Sequence, residues 1–252
     1  MGSRQLSDWL EDAAARRRAR AALKWSVVLT LALYLIPFGA LLAYPLLLLS
    51  TLFHELGHGV AAMLTGGRFE SLVMYADGSG VASHSGSGGA VTHAITAAGG
   101  LLGPAIVAAI AFASGRSRRG ARAFLWLTAI GLVLALALFV RNGFGIGFTA
   151  VVAGVLVWLA VRGNAASAQL GAVFLATQLA LSVFSRADYL FTDVAATAVG
   201  NMPSDTAVIA QALGGTYWIW GLVCGLFSLA VLAAGVLWFL RAFREPARVL
   251  HR

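Results

Sequence analysis

Runs of about twenty apolar residues recur along this chain, and they restrict its fold before any single residue is considered. They lie at about 25–43, 45–64, 91–113, 123–140, 144–161, 168–184 and 216–240. A helix needs about 20 such residues to cross the hydrocarbon core of a bilayer. Only 11% of the residues are charged and 60% are hydrophobic, with a mean hydropathy of +0.84. A soluble domain of this length needs far more charge to cover its outside. The sequence therefore predicts an all-α polytopic integral membrane protein of about 6–7 transmembrane helices.

The net charge of +8 is concentrated in short runs between apolar segments. These are Arg16, Arg17, Arg18, Arg20 and Lys24, then Arg116, Arg118, Arg119 and Arg122, then Arg241, Arg244, Arg248 and Arg252. Runs of this kind mark cytoplasmic segments under the positive-inside rule. No soluble basic surface accompanies them, so a nucleic-acid partner is not expected. The expected organisation is a basic cytoplasmic segment over 1–22, one polytopic membrane domain over 23–240 and a basic cytoplasmic tail over 241–252. The polar first two dozen residues argue against a cleavable signal peptide, and the single Cys224 excludes an intrachain disulfide.

Counting the spans exposes a conflict. If all three basic runs share one side, the chain makes an even number of crossings between Lys24 and Arg116, yet three apolar segments lie there. One of them is expected to be re-entrant or broken, which is tolerated where backbone lines a cavity. Pro45 is the expected break between the first segment and the second. Residues 68–83 alternate partly and turn at Asp77-Gly78, predicting a small β-hairpin after the second helix. The stretch from Ser185 to Gly215 reads as polar and carries Asp188, Asp193 and Asp205.

The second apolar segment contains His54-Glu55-Leu56-Gly57-His58. On a helix, His54 and His58 are one turn apart on one face, so both imidazoles can reach a single metal ion. Glu55 is placed to take a proton from a water polarised by that ion. Ionisable groups at mid-span each cost at least ~2.5 kcal/mol, and a bound dication compensates them. One Zn2+ per chain is the expected cofactor, with a third protein ligand still to be found.

The run His54-Glu-Leu-Gly-His-Gly-Val-Ala-Ala-Met-Leu-Thr-Gly-Gly-Arg68 resembles the signature of the M50 (site-2-protease-like) intramembrane metallopeptidases, in particular their M50B-like bacterial branch. The likeness continues through Asp77-Gly-Ser-Gly-Val81, the small-residue helix Ala97-Ala-Gly-Gly-Leu-Leu-Gly-Pro104, and a late block from Ser204-Asp205 to Trp220. The resemblance implies a zinc metalloendopeptidase that cuts membrane-protein or membrane-peptide substrates within or beside the bilayer, in a bacterial inner membrane. It also implies an Asp as third ligand, carried in better-known members by a Leu-Asp-Gly motif that this sequence lacks. Asp205 in Asn201-Met-Pro-Ser-Asp205 is the nearest match, with Asp193, His84 and His93 as alternatives. His84, His93, Asn142 and Asn201 are candidates to stabilise an oxyanion. The hairpin edge is a candidate to pair with an extended substrate.

Two other classes of function compete. A non-proteolytic M50-like scaffold or metal-binding protein would retain the fold without needing Glu55. A transporter would spread its ionisable groups along several helices, whereas here they form one tight cluster. Nothing in the sequence selects an oligomeric state.

Overall fold

A computed structural model describes residues 3–86, 88–185 and 187–243. Helix accounts for 76% of the structure, in the order α1 (Ser3–Leu35), α2 (Gly39–Leu64), α3 (Ala90–Ser114), α4 (Arg118–Leu138), α5 (Gly143–Val161), α6 (Ala165–Ser185), α7 (Asp205–Leu213) and α8 (Tyr217–Leu240). Strands β1 (Arg68–Met74) and β2 (Gly80–Ser85) follow α2, and β3 (Val194–Thr197) and β4 (Gly200–Pro203) precede α7. A 3₁₀ turn at Ala187–Phe191 joins α6 to β3. The tail beyond Phe243 lies outside the described residues.

Among the described residues, six helices are long and apolar enough to cross a membrane, and α1 is not one of them. Its basic first half is helical and continuous with its apolar half. The uncharged run Trp25–Leu35 is about 16 Å long at 1.5 Å per residue, roughly half of a bilayer core. That leaves α2 and α3 as the candidate crossings between Lys24 and Arg116, the even number that a shared side for the basic runs requires.

The break in the first apolar segment falls at 36–38, not at the expected Pro45, which lies inside α2. Pro37 cannot continue the hydrogen-bond ladder and biases Ile36 away from helical geometry. Phe38 then takes φ 63°, a left-handed conformation that ends the run.

The basic segments meet at one end of the bundle. Gln169 near the start of α6 donates to Gly115 O at 2.9 Å and accepts from Arg18 Nε at 2.9 Å. Arg20 donates to Phe243 O at 2.7 Å, and Arg122 donates to Gly163 O at 2.6 Å. The middle of α1, the α3–α4 and α5–α6 loops and the end of α8 are thereby joined. The largest core cluster lies inside this bundle, built mainly of alanine and leucine with Phe112, Phe124 and Phe239.

Helices α2 and α3 pack with their backbones almost in contact. A Cβ added at Gly57 would lie 2.2 Å from Gly99 O, and one added at Gly103 would lie 2.8 Å from Phe53 O. Small residues allow this approach, which dispersion and close packing reward in lipid.

The expected hairpin is present, with Met74 opposite Gly80 and Arg68 opposite Ser85. Asp77 Oδ1 accepts from Ser79 N at 2.9 Å and Ser79 Oγ at 2.7 Å, shaping the turn. The turn is tied to α2 by Tyr44 OH donating to Ala76 O at 2.6 Å and Thr51 Oγ1 donating to Gly78 O at 2.7 Å. The far edge of β1 is closed by the 139–141 segment: Leu72 N donates to Phe139 O, and Arg141 N donates to Leu72 O. The second hairpin, β3–β4, occupies part of the stretch that reads as merely polar in the sequence.

Candidate metal centre

Three side chains from two distant parts of the chain converge. His54 and His58 lie one turn apart on α2, and Asp205 is the first residue of α7. His54 Nε2 is 3.1 Å from Asp205 Oδ2, His58 Nε2 is 3.4 Å from Asp205 Oδ1, and the two Nε2 atoms are 3.1 Å apart. One ligand atom from each residue lies within 4.8 Å of the others. Zinc bonds of about 2.0–2.1 Å in a tetrahedron place neighbouring ligand atoms about 3.3–3.4 Å apart. The Nε2–Nε2 separation is close to that edge, and each imidazole faces a different oxygen of the Asp205 carboxylate, a grouping able to close on one small dication.

The surrounding atoms orient these donors. His58 Nδ1 is 2.9 Å from Thr96 O on α3. A carbonyl only accepts, so Nδ1 carries the proton and Nε2 presents its lone pair to the centre. Tyr189 packs edge-on to His54, with ring centroids 6.0 Å apart. Ser204 caps α7, its Oγ accepting from Ala207 N at 3.1 Å and donating to Thr192 O at 2.6 Å. Because Ser204 is the cap, Asp205 is free to turn toward the histidines. Its Oδ2 is buried and receives no well-directed hydrogen bond, its polar neighbour being His54 Nε2 at 3.1 Å, an arrangement costly for a carboxylate without a cation. The donor set fits zinc, with two imidazole nitrogens and one carboxylate oxygen leaving a position open.

Glu55 stands beside the group and is 6% exposed. It packs against the start of β2, where a Cβ added at Gly80 would meet Glu55 Cγ at 2.8 Å and Oε1 at 3.1 Å. On α3, a Cβ added at Gly100 would lie 2.2 Å from His58 Nε2. The absence of a side chain at each glycine makes the room that one site residue occupies.

Two cavities flank His54 and Glu55. The one of about 190 Å³ also reaches His58, Asp205, His84 and His93. The other, of about 120 Å³, reaches Ser50, Thr51, Ser182 and Ser228.

The remaining sequence candidates separate from the group. Asp193 is exposed, and its backbone carbonyl accepts from Ser204 N at 2.9 Å. His84 and His93 line the larger cavity but lie outside the three-residue cluster. Partial burial, reinforced by the neighbouring His58 and His93, holds His84 below its ordinary pKa. Asn142 is committed to structure, with Nδ2 donating to Met74 O at 2.6 Å and Oδ1 accepting from Met74 N at 3.2 Å. Asn201 is exposed on β4. Thr96, Gly80 and Tyr189 were not foreseen. Thr96 acts through its backbone, Gly80 through an absent side chain, and Tyr189 belongs to no motif. The Gly99-Gly100 pair did announce a close helix approach, without naming His58 as the neighbour.

No curated protein and no solved structure matches the chain. The family described as Peptidase M50B-like matches it over residues 25–235, which include His54, Glu55, His58 and Asp205. The match covers most of the chain, and the protein belongs to that family.

Proposed function

We propose that the protein is an intramembrane or juxtamembrane zinc metalloendopeptidase acting on membrane-protein or membrane-peptide substrates. One observation carries this reading: His54, His58 and Asp205 converge, with one ligand atom of each within 4.8 Å of the others, while Glu55 stands next to them outside the group. Membership of a peptidase family and six apolar helices support it.

His54, His58 and Asp205 would hold the metal. When bound, zinc supplies Lewis acidity toward water and a scissile carbonyl. Thr96 O keeps the His58 proton on Nδ1, so Nε2 remains a donor. Glu55 accepts the proton of the attacking water and delivers it to the leaving amine nitrogen. Both cavities border Glu55 and β2, so a peptide extended along β2 can satisfy main-chain groups and pass the base. A helical substrate must unwind locally to expose its peptide bond. The basic segments gathered at one end of the bundle support cytoplasmic termini, and assignment to a bacterial inner membrane rests on the resemblance to the M50B-like bacterial branch alone.

The test compares wild type with Glu55→Gln, both zinc-loaded in detergent, for cleavage of a panel of fluorogenic peptides derived from single-span membrane segments. Cleavage by wild type, with a loss of at least ~100-fold in Glu55→Gln at equal zinc content, supports the reading. Equal cleavage by the two proteins contradicts it.

A further inference from the structure

Two free strand edges face one cleft. Among the described residues β2 pairs only with β1, and β3 pairs only with β4. Gly80 of β2 and Ala195 and Thr197 of β3 line both cavities, together with His54 and Glu55. Val81 and Ala82 continue the β2 wall toward Asp205. The turns of the two hairpins are pinned together where Ala198 N donates to Ser79 Oγ at 3.2 Å. β2 leaves from that pin and β3 ends at it.

We propose that the substrate binds as a middle strand, pairing with β2 along one side and with β3 along the other. The product is a five-stranded sheet, β1-β2-substrate-β3-β4, with Glu55 beside its central strand. This rests on the peptidase reading and adds β3 as a second substrate-positioning edge. The reason is main-chain satisfaction. In a strand, successive residues direct their N–H and C=O groups to opposite neighbours, so one edge pairs only alternate residues. In an apolar surrounding the other half would be left without partners, a cost that keeps open sheet edges out of the hydrocarbon region. A second edge removes it. Whichever way the substrate runs relative to β2 and β3, alternate residues pair with a given neighbour in a parallel ladder and in an antiparallel one.

The test uses zinc-loaded Glu55→Gln protein in detergent, which binds without turning over. The probes are acetohydroxamate and the peptide hydroxamate acetyl-Leu-Ala-Ser-Ala-Leu-NHOH, together with variants of the peptide N-methylated at one interior residue each. The proposal expects the parent to bind at least ~10-fold more tightly than acetohydroxamate, and every interior N-methylation to weaken it by at least ~3-fold. It also expects Ala196→Pro in β3 to abolish one alternate set of these effects and leave the other. Weakening at every second residue only, unchanged by Ala196→Pro, means a single edge and overturns the proposal. Failure of acetohydroxamate itself to bind removes the zinc site, and the proposal with it, and is thereby told apart from failure of strand pairing.

Discussion

Replacing Gly100 with alanine adds one methyl group at a position that nothing in the active-site motif identifies, and it should empty the metal site. The new Cβ would lie 2.2 Å from His58 Nε2, 2.3 Å from Cε1 and 2.8 Å from Cδ2. Ordinary contact begins near 3.4 Å, so Nε2 must retreat by about 1.2 Å, against a tolerance of about 0.2 Å in a ligand bond. The ring cannot swing aside freely, because Nδ1 is held at 2.9 Å from Thr96 O. Disturbing a group that merely orients a ligand costs about 10–100-fold in metal affinity. Displacing the ligand itself should exceed that, so a loss of at least ~100-fold, about 2.7 kcal/mol, is expected. The assay is competition for zinc against a fluorescent chelator in detergent, with thermal unfolding measured on the metal-free proteins. Gly131→Ala on α4 is the control, since a Cβ there meets nothing within 4 Å, and it should bind zinc as wild type does. Wild-type zinc affinity in Gly100→Ala would refute the reasoning.

Other expectations follow from the same geometry. Gly80→Ala brings a Cβ to 2.8 Å from Glu55 Cγ; it should retain zinc while peptide cleavage falls by at least ~10-fold, the base being displaced rather than the metal. Ser204→Ala removes the α7 cap, so thermal unfolding should show a loss of about 1 kcal/mol and chelator competition a weaker site, because Asp205 is the next residue. Asn142→Ala deletes two bonds to Met74 and the cap of α5; it should destabilise the protein by about 2 kcal/mol without altering zinc stoichiometry, read by unfolding and elemental analysis.

The bundle and the motif were legible because each depends on one local pattern. Apolar length marks a span, and the His54–His58 spacing marks one helix face. Asp205 was reachable through resemblance, and the Ser204-Asp205 pair after Pro203 located the start of its helix. What the sequence hides depends on contacts between distant segments. Pro37 and Pro45 are equivalent as helix breakers until tertiary packing decides, and Pro45 proves compatible with α2. Strands β3 and β4 have four residues each, built from alanine, threonine, glycine and other residues with no clear alternation, so no period announces them. Gly80 and Gly100 matter through the side chains of Glu55 and His58 on another element, which one-dimensional reading does not pair with them.

The most direct test of the central claim is zinc per chain, measured by elemental analysis on wild type, Glu55→Ala, His58→Ala and Asp205→Ala purified without chelator. One zinc in wild type and in Glu55→Ala, with most of it lost from His58→Ala and Asp205→Ala, is the result this account predicts. Full zinc in Asp205→Ala, or none in wild type, would contradict it.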